Sequence, residues 1–185
     1  MFEQRVSGRY ARSLLIAAQA EALEDTIYKD LQYIDKVIDE CKDLKAMTLS
    51  PVIQHWRKKN VYNEVFKGKI NDLTMRFIML LTEKKREMII DSIIYQYESQ
   101  YNILKNRQKV EIYSAVDLSD DLIKDVLKHL TDMTKKTILP NYTVESALMG
   151  GLMVRIGDWV YDASVKNQLE NLHDRLAGIH GYEGN

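Results

Sequence analysis

The chain has 185 residues, 45% hydrophobic and 29% charged, the balance of an ordinary soluble protein able to bury a core. Its formal net charge of −1 lacks the basic surplus of a general nucleic-acid binder, and the single cysteine, Cys41, excludes an internal disulfide and fits a reducing compartment. No apolar run approaches the roughly 20 residues that span a bilayer, and the opening Met-Phe-Glu-Gln-Arg has neither a signal-peptide core nor a transit sequence's character, so the chain reads as cytoplasmic and bacterial.

From Ser7 to about Asn102 the apolar period is helical throughout, which predicts an all-α part. On the first helix, Ser7 to about Ala22, Tyr10, Ala11, Leu14, Leu15, Ala17, Ala18 and Ala22 cover more than one narrow stripe. Either this helix is central in its own bundle, or its spare apolar surface takes a partner helix, which small alanines allow to lie close. A second helix from about Asp25 to Cys41 carries the stripe Ile27, Leu31, Ile34, Ile38 and Cys41. A short helix around Leu44 to Thr48 follows. Ser50-Pro51 reads as the N-cap and first position of a helix running to about Val65. The next spans Asn71 to Thr82, and Glu83-Lys84-Lys85-Arg86 is a polar joint before the last, which carries Ile90, Ile94, Tyr97, Tyr101 and Leu104.

The period changes in the polar stretch Asn102 to Gln108, which divides the chain into a helical bundle, residues 1–105, and an α+β domain, residues 106–185. Val110, Ile112 and Ser114 alternate with polar neighbours as in a strand. Ser119 caps a helix with a broad apolar face of Leu122, Ile123, Val126, Leu127, Leu130 and Met133. Pro140 precedes a second strand near Tyr142 to Leu148.

Gly150-Gly151 lets the backbone take a positive φ or approach another element closely. Leu152–Ile156 and Trp159–Tyr161 then pair through Gly157-Asp158, a two-residue loop whose leading glycine suits a type II′ turn. In that register Ile156 lies opposite Trp159 and Val154 opposite Tyr161, with Arg155 on the other face. Asp162 or Ser164 caps a final helix striped by Val165, Leu169, Leu172 and Leu176. Gly178 to Asn185 reads as a frayed tail. The fold class is α+β, mostly α.

Nothing here points to chemistry. His55, His129, His173 and His180 show no metal-ligand spacing, no glycine-rich loop is built to cradle a phosphate, and Asp120-Asp121 sits where negative charge favours a helix N-terminus. No cofactor, metal or catalytic site is expected. Arg57-Lys58-Lys59 and Lys84-Lys85-Arg86 read as solvated helix faces; the alternative is a weak polyanion or RNA contact, with Trp56 and Tyr62 available for stacking.

The order and spacing of Gly150-Gly151, Arg155-Ile156-Gly157-Asp158, Asp162, Ser164-Val165, Leu169 and Leu172 resemble the C-terminal signature of the delta subunit of bacterial F-type ATP synthases, called the oligomycin sensitivity conferral protein in mitochondria. Met149 and Ala163 stand where the family commonly has isoleucine and glycine. Arg9-Tyr10-Ala11-Arg12-Ser13-Leu14 and Arg76-Phe77-Ile78-Met79-Leu80-Leu81 extend the likeness over the first part, although the family's asparagine at the joint is absent near Glu83-Lys84-Lys85. The resemblance implies a non-catalytic stator subunit with an N-terminal six-helix bundle. That bundle would take the N-terminal helix of an α subunit between its first and fifth helices, which points to Tyr10, Ala11, Leu14, Ala18, Leu73 and Phe77. The C-terminal domain would grip the b subunits of the peripheral stalk. It also implies no nucleic acid, and association with the cytoplasmic side of a bacterial inner membrane only through the complex. The competing reading is a helical adaptor or regulatory module.

Overall fold

Apolar residues at helical spacing give helices α1 (Phe2–Ala20), α2 (Glu24–Glu40), α3 (Lys42–Leu49), α4 (His55–Phe66), α5 (Asp72–Glu83) and α6 (Ile90–Leu104), the last entered through a 3-10 turn at Glu87–Ile89. The computed structural model describes residues 2–176, so the expected frayed tail from Gly178 lies outside the described residues. The chain divides into two units, Met1–Lys105 and Asn106–Asn185. The described residues are mostly helical, with eight α-helices and one four-stranded sheet.

The core of the first unit is built from the predicted stripes: Ala11, Leu14 and Ala18 of α1, Ile27, Leu31, Ile34 and Ile38 of α2, and Ile90, Ile94, Tyr97 and Tyr101 of α6 are all buried. Two stripe ends fall out of it. Cys41 is exposed, in extended conformation between α2 and α3, and Leu104 is exposed in the last turn of α6. The helix expected from Pro51 instead starts at His55. Ser50 is the C-cap of α3 with ψ at 120°. Steric conflict with the following proline ring keeps that residue out of helical geometry, so Ser50-Pro51 ends one helix rather than starting the next. Asn71 does cap α5, its side chain accepting from the Leu73 amide at 2.8 Å.

Buried polar ties fix the helices in register. Asp30 of α2 accepts from the Asn71 amide at 2.8 Å and from Thr74 Oγ1 at 2.7 Å, joining α2 to the start of α5. Lys58, expected within a solvated basic face, is fully buried: its Nζ donates to Glu87 at 2.6 Å and to the Thr48 carbonyl at 3.0 Å. Lys59 is paired with Glu83, and Arg57 lies over the Trp56 ring. The basic run is thus divided among separate partners. Tyr62 shares a 2.8 Å hydrogen bond with Thr48, and burial pushes its hydroxyl up to about 12. At the end of α6, Tyr101 stacks on Tyr28 with centroids 4.4 Å apart and donates to Asp25 at 2.7 Å, while Lys105 Nζ reaches Asp25 at 2.7 Å.

Between α2 and α6, Asp35 lines a small cavity, and partial burial followed by the charges of Asp39, Asp91 and Glu98 raise its carboxyl above the usual range. A raised carboxyl binds its proton more tightly folded than unfolded, so its contribution to stability is lost as pH rises through the folded value. Asp35→Asn is therefore expected to raise the thermal midpoint at neutral pH. It should leave the midpoint unchanged at a pH low enough to protonate Asp35 in both states. Midpoints that move equally at both pH values would refute this.

The second unit holds strands β1 (Arg107–Ser114), β2 (Thr137–Val144), β3 (Leu152–Ile156) and β4 (Trp159–Asp162), with helices α7 (Asp120–Thr134) and α8 (Val165–Leu176). The strand order is β2-β1-β3-β4, with β1 and β2 parallel and the others antiparallel. A parallel pair needs a crossover, which α7 supplies. β2 starts earlier than expected and carries Pro140 within it. A proline removes one ladder donor, which only an edge strand tolerates, and β2 is an edge. Val110, Ile112, Val154 and Leu130 form the buried centre. On the other face Glu111 receives the Tyr113 hydroxyl at 3.0 Å and lies 4.0 Å from Arg155.

Candidate interaction surfaces

The glycine pair and the last helix cap form one knot. Gly151 has φ at +73°, and a Cβ there would lie 2.4 Å from the Ala163 carbonyl oxygen; at Gly150 it would lie 2.8 Å from Val165 Cγ2. Those contacts exist because the Val165 amide donates to the Gly150 carbonyl at 2.9 Å and the Ala163 amide to the Leu152 carbonyl at 3.0 Å. Ser164, rather than Asp162, is the cap of α8: its Oγ accepts from the Asn167 amide at 3.1 Å, while Asp162 accepts from the Ser164 amide at 2.8 Å. Ala163 needs no positive φ, whereas Met149 takes one, at +62°.

The hairpin pairs Ile156 with Trp159 and Val154 with Tyr161, as its spacing requires. Gly157 has φ at +59° and Asp158 does not share it, as a type II′ turn demands. This knot and hairpin fix Gly150, Gly151, Gly157, Asp158, Asp162 and Ser164 through backbone geometry.

What the knot presents is apolar and uncovered. On α8, Val165, Leu169, Leu172 and Leu176 form the expected stripe, yet Leu169 and Leu172 are each 53% exposed and no residue of the helix is buried. In the same unit α7 and the hairpin enclose a groove of about 750 Å³ lined by residues including Leu122, Val126, Met133, Leu152, Trp159 and Tyr161. Trp159 is 83% exposed. Contiguous apolar surface of this kind marks a binding site more often than a monomer surface. The sequence pairs these aromatics across the hairpin, but whether a helix covers them depends on where α7 lies, which strand periodicity does not encode.

In the first unit, the Tyr10 ring of α1 meets Phe77 of α5 edge-on, centroids 6.4 Å apart. Tyr10 and Leu73 are half-buried, Leu80 is exposed, and Phe77 is nearly covered. Of the α5 stripe, then, Leu73 and Leu80 face outward. Ala11, Leu14 and Ala18 lie on the inner side of α1 in the core, so they shape the α1 wall from behind. Val6 and Ala17, half-buried on the Tyr10 side of α1, complete its outer edge. Among the described residues no group of acidic, histidine or cysteine side chains is placed to hold a metal ion.

A family model described as ATP synthase delta (OSCP) subunit matches residues 6–176. The chain is 35% identical over 170 residues to the ATP synthase subunit delta of Chlorobium phaeobacteroides, covering 92% of this chain and 94% of that one. It is 34% identical over 176 residues to the ATP synthase subunit delta of Salinibacter ruber, covering 95% and 93%. A chain of the Toxoplasma gondii mitochondrial ATP synthase hexamer shares the fold with a TM-score of 0.70 at 17% identity, over 92% of this chain and 97% of that one. With a family match across nearly all its length, the chain belongs to the ATP synthase delta (OSCP) family and is a non-catalytic subunit of the peripheral stalk.

Proposed function

We propose that the two units divide the stator's task as two domains: residues 1–105 hold the catalytic head and residues 106–185 hold the b subunits. The observation that carries the first half is the Tyr10–Phe77 contact, which joins the outer edges of α1 and α5 into one apolar strip with Leu73 and Leu80 at its rim. An amphipathic helix laid on such a strip buries its stripe without disturbing the core, the helix-in-groove mode of recognition. The occupant is the N-terminal helix of an α subunit. Tyr10 and Phe77 anchor it, Leu73 borders it, and the buried Ala11, Leu14 and Ala18 keep α1 close enough to its neighbours for the strip to exist. The uncovered surfaces of the second unit serve the stalk.

Held at both ends, the chain keeps the head from turning with the rotor, and proton flow stays coupled to ATP synthesis. In a bacterial cell that places it on the cytoplasmic side of the inner membrane, attached through the complex. No described helix is long and apolar enough to cross a membrane.

The test is calorimetric titration of the full chain with a peptide of the cognate α subunit's N-terminal helix. One-to-one binding is expected. Truncating a central aromatic anchor costs about 2 kcal/mol, or roughly 30-fold in affinity, so Tyr10→Ala should weaken binding by that factor with helicity intact. Unchanged affinity in a folded variant removes Tyr10 from the contact. Absence of binding by the folded parent chain refutes the assignment to α1 and α5.

A further inference from the structure

On α2, Tyr28, Leu31 and Asp35 follow one another at the spacing of a helical turn and share a face, as Ile94 and Glu98 do on α6. Between these faces lies the small cavity of the first unit, about 240 Å³. Leu31 and Ile94 give it a buried apolar floor, and a carboxylate stands on each wall, Asp35 on α2 and Glu98 on α6. The donors nearby are already engaged. Tyr28 donates its hydroxyl proton to Glu98 at 2.8 Å and accepts from Gln32 at 2.8 Å. Lys45 Nζ lies 2.6 Å from Asp39, and Lys36 Nζ, at the cavity mouth, lies 3.8 Å from Glu40. Asp35 makes no hydrogen bond or ion pair with another described residue, while Asp39 on its own helix and Asp91 and Glu98 on α6 crowd it with charge of like sign. Lys45 of α3 offsets that charge only in part, since the Asp35 carboxyl is still raised. A proton relieves the repulsion, and so does a cation in the cavity. A bare metal ion is poorly served, because it needs several oxygen ligands and no described group of acidic side chains supplies them. The volume is also below the roughly 300–1,000 Å³ of pockets for drug-sized ligands, which leaves room for one charged head on a short chain.

We propose that this cavity binds one alkylguanidinium or alkylammonium group, with its aliphatic chain on Leu31 and Ile94 and its charged head between Asp35 and Glu98. The site is independent of what the two units hold. Such a cation buries its methylenes on apolar surface while its N–H groups meet carboxylates in short, charge-assisted hydrogen bonds. Glu98, already held by Tyr28, is a fixed acceptor, and Asp35 is the partner that gains most from the new charge. Either a free small amine or guanidine, or a lysine or arginine side chain of a neighbouring protein, brings this chemistry. The cation takes Asp35 as carboxylate. Binding therefore displaces the proton that a raised carboxyl retains, and it weakens as pH falls through the folded value of Asp35.

The experiment follows the full chain by amide proton–nitrogen correlation spectra during titration with n-butylguanidinium, n-butylammonium and uncharged n-butanol, at constant ionic strength. Saturable shifts centred on the amides around Asp35 and Glu98 are expected for at least one of the two cations, with a Kd on the order of 1 mM, and none for n-butanol. Asp35→Asn keeps the shape and removes the charge. It should weaken cation binding at least about tenfold near neutral pH, the usual contribution of a hydrogen bond to a charged group. In the parent, the titration of the Asp35 carboxyl carbon should move to lower pH when the cation is present, an effect that a purely structural Asp35 would not show and that needs no variant to fold. Three results overturn the proposal: a folded parent with no saturable shift, n-butanol binding as well as the cations, or an Asp35 titration indifferent to them. Equal binding by folded Asp35→Asn overturns it too. Nα-acetyl-arginine N-methylamide, an arginine side chain with backbone on both sides, separates the sources. If it binds like n-butylguanidinium, the site stands and takes a partner's side chain; if it is excluded while n-butylguanidinium binds, the site stands and takes a free small cation.

Discussion

Gly151→Ala is expected to unfold the second unit and leave the melting of the first unchanged. Two costs coincide at this position. A residue with a Cβ is strained at a φ of +73°, and that Cβ would meet the Ala163 carbonyl oxygen at 2.4 Å and Ser164 Cα at 3.2 Å. The obstacle is backbone, which no rotamer change relieves, and it is held by the hydrogen bonds from Val165 to Gly150 and from Ala163 to Leu152. Left-handed strain and overpacking each cost about 1–3 kcal/mol. A core of this size rarely supplies more than about 3–5 kcal/mol, so the sum reaches the whole of the unit's stability. Gly157→Ala is the control: its φ is +59°, but nothing lies within 4 Å of the added Cβ, so only the strain term applies. Amide hydrogen exchange reads both. β1 amides should lose protection in Gly151→Ala and keep most of it in Gly157→Ala. Protected β1 amides in Gly151→Ala would show that the knot can open at little cost.

Glu87→Ala is expected to destabilise the first unit by about 3–5 kcal/mol, the usual cost of removing one partner of a buried ion pair. The Lys58 and Glu87 side chains are 1% and 7% exposed, and without the carboxylate the ammonium keeps only the Thr48 carbonyl. For a unit of this length each kcal/mol shifts the midpoint by about 4–8 °C, so a fall of at least about 12 °C should appear in a thermal melt. Lys58→Met/Glu87→Leu should recover most of it, because apolar replacement of both partners removes the stranded charge and both desolvation costs. Glu87 Oε2 has no protein partner, so the wild-type pair is itself not fully satisfied. A fall of only a few degrees in Glu87→Ala would mean that the Lys58 head group reaches water.

The helices and the hairpin were legible because their signals are local. A stripe such as Ile27, Leu31, Ile34 and Ile38 needs only the period of one helix, and a Gly-Asp loop between apolar runs fixes its own register, which the pairs Ile156–Trp159 and Val154–Tyr161 bear out. Errors arose where a neighbour decides. Ser50-Pro51 has the composition of a helix start and of a helix stop, and only the preceding α3 chooses between them. Pro140 lies within β2 rather than before it, because an edge strand tolerates proline, and edge position depends on a strand order that no single segment contains. Lys58 stood among charges and read as solvated, since its carboxylate partner lies 29 residues downstream. The interaction surfaces were the least legible part. The stripe Val165, Leu169, Leu172 and Leu176 looks the same in sequence whether it is core or, as here, exposed. The α1 residues Ala11, Leu14 and Ala18 likewise gave no sign of which side faces inward, and covering by other helices settles it.

The clamp at the end of α6 sets where a mechanical load enters. Tyr101 and Lys105 both hold Asp25, and the Tyr28–Tyr101 stack lies one turn inside, so the last turn of α6 is riveted to the first turn of α2 just before residue 106. Tension arriving along the backbone at residue 106 is therefore shared between α6 and α2 through Asp25 before it reaches the core of the first unit.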